Sequence, residues 1–110
     1  MSDNVMQVSD RDFDELVLGS AQPVLVDFWA EWCVPCHMVS PVVEEIARDH
    51  SATLRAAKLN VDDNPDTTRK YRVMSIPTLI VFKDGQEKAR LVGARGKDAI
   101  LREIEPHIAA

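Results

Sequence analysis

Two cysteines, Cys33 and Cys36, stand three positions apart and are followed at once by His37. The C-x-x-C spacing is typical of cysteine pairs that make and break disulfides, whereas C-x-x-C-H is the attachment signature of c-type haem. A structural zinc ion needs four ligands in a tetrahedral arrangement, and the two other histidines, His50 and His107, stand in separate segments. The motif therefore leaves two main interpretations, a redox dithiol and a haem attachment site, and we expect no metal site.

The length of 110 residues predicts one domain over residues 1–110, large enough for a hydrophobic core. The chain carries 13 Lys and Arg against 18 Asp and Glu, a net charge of -5. Nucleic-acid binding favours a clustered basic surface, and no apolar run here approaches the length of a membrane span. We therefore expect a monomer that binds neither nucleic acid nor membranes.

The amino terminus bears on the redox environment of the two cysteines. Residues 1–4 show no basic region followed by an apolar stretch, which predicts no secretory leader and a cytoplasmic location. The cytosol keeps thiols reduced, and a disulfide that closes so short a loop stabilises a fold little. The cysteine pair is therefore predicted to serve chemistry and not structure.

The elements that must position this pair follow from periodicity and turn signals. The predicted strands are residues 5–8, 23–29, 53–61, 78–82 and 87–93, and the predicted helices are 9–19, 35–49, a short one from Asn64-Pro65, and 97–108. Ser9 is the expected N-cap of the first helix, Pro41 is expected to kink the second without breaking it, and Asp84-Gly85 predicts a hairpin turn.

This element order predicts an α/β protein with a mixed central sheet and helices on both faces. Strands separated by helices indicate parallel crossovers, and the hairpin adds antiparallel strands at one side. The cysteine pair falls where the second strand runs into a helix, at the carboxyl end of that strand. Open α/β sheets place their binding and catalytic sites at such ends.

The predicted helix start explains how the pair can do thiol chemistry. Free backbone N–H groups at a helix N-terminus favour a thiolate at Cys33, and Cys36 lies one turn further on the same face. Acidity alone gives a small gain in rate, because a more acidic thiolate is a weaker nucleophile. Most of the rate must therefore come from orientation and from a second thiol held close by.

A thiol at Cys36 needs a base to lose its proton. Asp27 is the lone carboxylate in the apolar run 24–29, and if it points inward, burial raises its pKa towards that of a general base. Lys58 is the one charged residue near the middle of the next strand and could partner Asp27 across the sheet. Outward-facing side chains are the alternative, which we disfavour for Asp27 and leave open for Lys58. Trp29 is interpreted as a core aromatic with no catalytic role.

Four segments together resemble the thioredoxin family, namely VDFWAEWCVPCHMVSPVVEEIA, AKLNVDDNP, YRVMSIPTLIVFKDGQ and VGARGK. The resemblance extends from about residue 5 to residue 108 and keeps its motifs in order. It implies a thioredoxin-like three-layer fold and a thiol–disulfide oxidoreductase that reduces protein disulfides. It further implies re-reduction by thioredoxin reductase, which draws on NADPH, with no cofactor bound to the chain itself.

The resemblance also implies roles for individual residues. Cys33 would be the attacking thiol, Cys36 the resolving thiol, Asp27 the buried proton carrier with Lys58 as its neighbour, and Pro77 a cis-proline packed against the dithiol. A mostly apolar docking rim for substrates would comprise Trp32, Val34, Pro35, Met74, Ser75, Ile76, Val92, Gly93 and Ala94.

Two positions depart from the family pattern. Most members carry glycine where Val34 stands and commonly lysine where His37 stands. A branched side chain between the thiols restricts the backbone, so Val34 either tunes redox poise and the choice of partners or is neutral variation. His37 either tunes the field at the dithiol through its own charge or is a solvated helix residue.

The remaining interpretations fit the sequence less well. Haem attachment requires a distal ligand, an export route and a helical wrap, whereas this cysteine pair follows a strand of a predicted sheet. A non-catalytic binding module of the same fold usually lacks one or both cysteines. The sequence therefore predicts a redox dithiol formed by Cys33 and Cys36.

Overall fold

A computed structural model describes residues 4–108, and residues 1–3, which contribute to the expectation about a leader, lie outside them. The strands are β1 (Val5–Gln7), β2 (Val24–Trp29), β3 (Arg55–Asn60), β4 (Thr78–Lys83) and β5 (Gln86–Val92). The helices are α1 (Val34–Asp49), α2 (Pro65–Lys70) and α3 (Lys97–Ile108), together with a short π-helix, Asp14–Leu18. The predicted element order is confirmed. Among these helices, none is long and apolar enough to cross a membrane.

The five strands form one mixed sheet in the order β1-β3-β2-β4-β5. Strands β1, β2 and β3 are parallel, β4 is antiparallel to β2, and β5 is antiparallel to β4. The parallel crossover expected between β3 and β4 is therefore wrong. A six-residue helix such as α2 spans about 9 Å, too short to carry the chain back along a strand of about 20 Å. Strand β4 consequently starts at the end of the sheet where β3 finished.

Helices cover both faces of the sheet, as predicted. Successive side chains of a strand point to opposite faces. In β2, Leu25 faces the layer of α1 and α3, and Val24, Val26 and Phe28 pack with Phe13 and Val17 near the π-helix. Every residue from Val24 to Phe28 is buried. The continuous apolar run in the sequence is explained by this burial on both faces.

Helix α1 presents one apolar stripe to the sheet, with Val39, Val43 and Ile46 in the core. The helix runs through Pro41 as a single element, and Pro41 is exposed. Its position brings the first turn of α1 to the carboxyl end of β2. The fold thereby sets the cysteine pair beside the strand that carries Asp27.

The first helix is shorter than predicted, and Ser9 is not its N-cap. The helical segment begins after Phe13, and no side chain caps it. The preceding residues instead support α2, because the Asp10 carboxylate accepts hydrogen bonds from the backbone N–H groups of Asp66 at 3.1 Å and Thr67 at 2.8 Å. Asn64, the expected cap of α2, accepts from the Asp10 backbone N–H. The cap of α2 therefore comes from a distant segment.

The predicted hairpin between β4 and β5 is confirmed. Asp84 and Gly85 both have positive φ, 55° and 76°. Two consecutive residues of this kind form the turn whose twist matches a two-stranded hairpin. The hairpin extends the sheet on the side away from β1.

Candidate active site

The cysteine pair lies at the start of α1, immediately after the loop that leaves β2. Cys33 is the N-cap residue with extended backbone, and its Sγ accepts a hydrogen bond from the backbone N–H of Cys36 at 3.1 Å. The two residues form a disulfide, with Cα atoms 5.2 Å apart. A sulfur at an N-cap faces free N–H groups and the positive end of the helix dipole, which stabilise a negative charge there.

Both cysteines are nearly enclosed by neighbouring residues. Cys33 is 3% exposed and Cys36 is 1% exposed, so they differ little in burial. They cluster with Ala30, and Val61 and Ile76 pack against them. Only a small part of each cysteine is therefore accessible from the surface.

Asp27 points inward from β2, as predicted. It is 2% exposed, and its Oδ1 atom has no hydrogen-bond partner. Burial raises the pKa of Asp27 to about 7, and the positive charge of Lys58 opposes that rise. A carboxyl with a pKa near neutrality can both take up and release a proton at a pH close to 7.

Lys58 is the neighbour of Asp27 in the sheet. The two are register partners across the parallel strands β2 and β3, which settles the open question of which way Lys58 faces. Among the described residues, however, no ion pair joins them. The Lys58 Nζ atom lies 4.4 Å from the centre of the Trp29 ring, a cation–π contact.

Asp27 and Cys36 both line a cavity of about 200 Å³. The remaining lining residues are Trp29, Glu31, His37, Ser40 and Lys58. A second cavity, of about 480 Å³, shares Asp27, Ser40 and Lys58 with the first. One water molecule takes up about 30 Å³ of liquid, so each cavity has room for several waters.

The predicted rim residues lie in three segments: the loop after β2 with the start of α1, the loop before β4, and the end of β5 with the loop after it. The Ile76–Pro77 peptide bond is cis, Ile76 packs against the cysteines, and Pro77 is buried. The Gly93 backbone N–H donates to the Pro77 carbonyl at 2.8 Å, which joins the last two of these segments. The exposed members are Trp32, Val34, Pro35, Met74, Ser75, Val92 and Ala94.

Trp32 and Met74 are both exposed, but within residues 4–108 only Trp32 of the two is fixed by a side-chain hydrogen bond. The Trp32 indole N–H donates to the Asp62 carboxylate at 2.8 Å, which fixes an otherwise exposed ring. Met74 is 91% exposed, and its unbranched side chain is flexible. His37, also exposed, has its Nε2 atom 2.7 Å from the Glu31 carbonyl oxygen, so that nitrogen is the donor.

Sequence reasoning missed two residues of the site, Trp29 and Ser40. Trp29 was interpreted as a core aromatic, yet it is half-buried and lines the cavity that holds Asp27 and Cys36. It stands two positions after Asp27, and strand alternation puts such residues on one face. Ser40 stands four positions after Cys36, which is the same face of α1. Both spacings were available in the sequence as signals.

The geometry and composition of the site bear on the alternative interpretations. Among residues 4–108, no group of three or more His, Cys, Asp or Glu side chains is arranged to hold a metal ion. The two cysteines stand within disulfide distance of each other at a helix start. This arrangement favours thiol–disulfide exchange over haem attachment or passive binding.

Comparison with known proteins agrees with the geometry. The family model described as Thioredoxin matches residues 4–106. A thioredoxin of Mycobacterium tuberculosis is 59% identical over 99 residues, which cover 90% of this chain and 85% of that protein. A thioredoxin of Pseudomonas aeruginosa is 47% identical over 108 residues, 98% of this chain and 100% of that one. A bifunctional thioredoxin reductase/thioredoxin of Mycobacterium leprae is 54% identical over 99 residues, 90% of this chain and 22% of that protein.

Proposed function

The chain belongs to the thioredoxin family and is a thiol–disulfide oxidoreductase, and from this premise we propose that Cys33 is its attacking thiol and Cys36 its resolving thiol. The position of Cys33 at the N-cap of α1 supports this assignment, because the helix start stabilises a thiolate. Cys36 follows in the first turn of α1 and borders the cavity that Asp27 also lines. The whole chain is proposed to act as one thioredoxin domain.

In the first step, the Cys33 thiolate attacks one sulfur of a substrate disulfide. A bond forms between Cys33 Sγ and that sulfur, the substrate S–S bond breaks, and the other substrate sulfur leaves as a thiolate that takes up a proton. The product is a mixed disulfide. The hydrogen bond from the Cys36 N–H supports this step, since such bonds strengthen when the acceptor is charged.

In the second step, the Cys36 thiol gives its proton to the Asp27 carboxylate through the shared cavity. The Cys36 thiolate then attacks Cys33 Sγ, the mixed disulfide breaks, and the reduced substrate leaves. The chain is left oxidised as the Cys33–Cys36 disulfide, and Asp27 later releases its proton. A pKa of about 7 suits Asp27 to both halves of this exchange.

The docking rim defined above is proposed to bind the substrate segment that carries the disulfide. Its exposed apolar side chains, Trp32, Val34, Met74 and Val92, offer non-directional contacts that suit many partners. Pro77 and Ile76 would hold the substrate sulfur in line with Cys33. Lys58 is proposed to modulate the charge at Asp27.

The family implies two kinds of partner, a reductase and proteins with reducible disulfides. We infer that thioredoxin reductase returns the oxidised chain to the dithiol with electrons from NADPH, so that the chain itself binds no cofactor. The Mycobacterium leprae relative carries both functions in its name. The chain is further proposed to work as a monomer in the cytoplasm.

One observation carries the proposal: a disulfide-forming cysteine pair at a helix start, with a buried, unpaired carboxyl in the same cavity. The test is NADPH consumption in the presence of thioredoxin reductase and insulin. Turnover that disappears with Cys33→Ser is the expected result. Insulin reduction that proceeds with dithiothreitol but not with the reductase would mean a different electron source, and no reduction under either condition would overturn the proposal.

A further inference from the structure

We propose that Trp29 is a positioning residue that holds the Lys58 ammonium group over its ring and so keeps it from pairing with the Asp27 carboxylate. The inference rests on the proposed role of Asp27 as proton carrier. It assigns a task to an aromatic residue that lies beside the dithiol and contributes no atom to the thiol chemistry itself.

The sheet places Asp27 and Lys58 side by side, yet these two described residues form no ion pair. Asp27 and Lys58 are register partners in β2 and β3, and the side chains of such partners leave the sheet on the same face. Asp27 Oδ1 is nevertheless buried without a hydrogen-bond partner. Within residues 4–108 no ion pair joins the two side chains, so the Lys58 ammonium group has its contact elsewhere.

The Trp29 ring is the group that contacts the Lys58 ammonium group. It follows Asp27 by two residues in β2, so its ring lies on the face of the sheet shared with Asp27 and Lys58. Lys58 Nζ is 4.4 Å from the ring centre, well within the range of a cation–π contact, and tryptophan is the best aromatic partner for a cation. The Trp29 ring also contacts the His37 ring edge-on, with centroids 6.1 Å apart and an interplanar angle of 73°.

Other charged groups near Asp27 and Lys58 do not replace this contact. Glu31 and His37 line the smaller cavity with Asp27 and Cys36, and Glu44 lines the larger one. Asp12 and Asp63 border a third cavity that also touches Lys58 and Trp29. Among the described residues, none of these carboxylates forms an ion pair with Lys58. The Trp29 ring is therefore the contact that fixes the ammonium group.

The consequence concerns the proton that Asp27 carries. An opposite charge close to a carboxylate stabilises its charged form and lowers its pKa. If Lys58 left the ring and paired with Asp27, the carboxylate would become a weaker base for the Cys36 thiol. By holding Lys58, Trp29 keeps Asp27 a base that works near neutral pH.

The test measures the pKa of Asp27 directly, from the carboxyl carbon shift in an NMR titration of the oxidised protein, in which neither cysteine titrates. Trp29→Met removes the π face and keeps much of the volume, and Trp29→Phe is the conservative variant that retains a ring. We expect Trp29→Met to lower the Asp27 pKa by about one unit and Trp29→Phe to restore most of the wild-type value. An unchanged pKa in Trp29→Met overturns the proposal.

A double-variant cycle separates this effect from water entering the site. In a Lys58→Met background, Trp29→Met should leave the Asp27 pKa unchanged, because no ammonium group remains to move. An equal fall in both backgrounds would assign the shift to hydration and overturn the proposal. The wild-type protein gives an independent measurement, since the Lys58 side-chain methylene protons should show an upfield ring-current shift, and its absence also overturns the proposal.

Two measurements distinguish the failure of this inference from the failure of the proposed function. They are the rate of substrate release in Asp27→Asn and the Asp27 pKa in the Trp29 variants. If Asp27→Asn left the rate of substrate release unchanged, Asp27 would not be the proton carrier, while the link between Trp29 and the Asp27 pKa could still hold. If the pKa failed to respond to Trp29, the role of Asp27 would stand without its positioning residue.

Discussion

The Sγ atom of Cys33 accepts a hydrogen bond from the backbone N–H of Cys36 at 3.1 Å, in the position where a serine or aspartate oxygen caps many helices. The proposed nucleophile and the proposed resolving residue are therefore linked by a hydrogen bond as well as by the disulfide. After reduction we expect the Cys33 sulfur to stay beside the same donor. A charge on that sulfur would be stabilised by the group that also orders the first turn of α1.

Replacement of Cys33 by serine separates chemistry from folding. Cys33→Ser should abolish reductase-coupled turnover, because an alcohol does not replace a thiolate in disulfide exchange. Serine is a good N-cap, so the free energy of unfolding should stay within about 1 kcal/mol of that of the reduced wild type. Enzyme assays and urea denaturation of both reduced proteins check the two halves. Residual turnover would contradict the assignment of Cys33 as nucleophile.

Replacement of Cys36 by serine should trap the intermediate. Cys36→Ser leaves Cys33 able to attack a substrate but removes the thiol that resolves the mixed disulfide. Covalent adducts of the variant with insulin chains should accumulate and be visible by mass spectrometry under non-reducing conditions. The matched control, Cys33→Ser, should form no such adduct through Cys36. An adduct at Cys36 would mean that Cys36 is the attacking thiol and Cys33 the resolving thiol.

Asp27 should make the protein less stable as pH rises. Its pKa is raised from 3.8 to about 7 in the folded state, so between these values the folded protein binds a proton that the unfolded chain has lost. The free energy of unfolding therefore falls as pH rises through this window and levels off above pH 7. Asp27→Asn should remove this dependence and stabilise the oxidised protein at pH 8 by at most about 4 kcal/mol.

Urea denaturation at a series of pH values checks that prediction. Glu105→Gln, which replaces an exposed carboxyl on α3, is the matched control and should keep the wild-type pH dependence. An Asp27→Asn variant that follows the wild-type curve would show that Asp27 titrates normally.

Val34 should act through contact with partners. It is 70% exposed in the first turn of α1, between the two cysteines. Val34→Gly should raise the KM for protein disulfides about fivefold with kcat unchanged, because about 1 kcal/mol of apolar burial in the complex is lost. Steady-state kinetics test this, with Val34→Ile as the control that keeps the apolar contact. A changed reduction potential in Val34→Gly would instead assign Val34 to redox poise, and no change at all would mark it as neutral variation.

Asp10 should stabilise the protein by capping α2 from outside that helix. Asp10→Ala removes the acceptor for the N–H groups of Asp66 and Thr67 and should lower the free energy of unfolding by about 1–2 kcal/mol. Asp10→Asn keeps one acceptor oxygen and should retain most of the stability. Equal losses in the two variants would mean that the charge of Asp10 matters more than its hydrogen bonds. Denaturant titration of each variant gives the comparison.

Much of the fold could be predicted because its signals are local. The apolar run of β2, the apolar stripe of α1 and the Asp84-Gly85 turn each lie within a few residues, and the three elements that they predict are confirmed. The first helix was predicted too long, because Ser9 resembles an N-cap. The Asp10 carboxylate is in fact used by α2, 57 residues further along at Thr67.

The sequence by itself determined the chemistry: two cysteines at C-x-x-C spacing before a helix, and a lone carboxylate in an apolar strand. These features depend on residue type and short-range order, which the chain carries whatever its final shape. The tertiary structure decided what separate segments do to one another. It made β4 antiparallel to β2, joined Asp27 and Cys36 in one cavity, and brought Lys58 over the Trp29 ring. Such relationships depend on how strands and helices pack, and no short stretch of sequence contains that information.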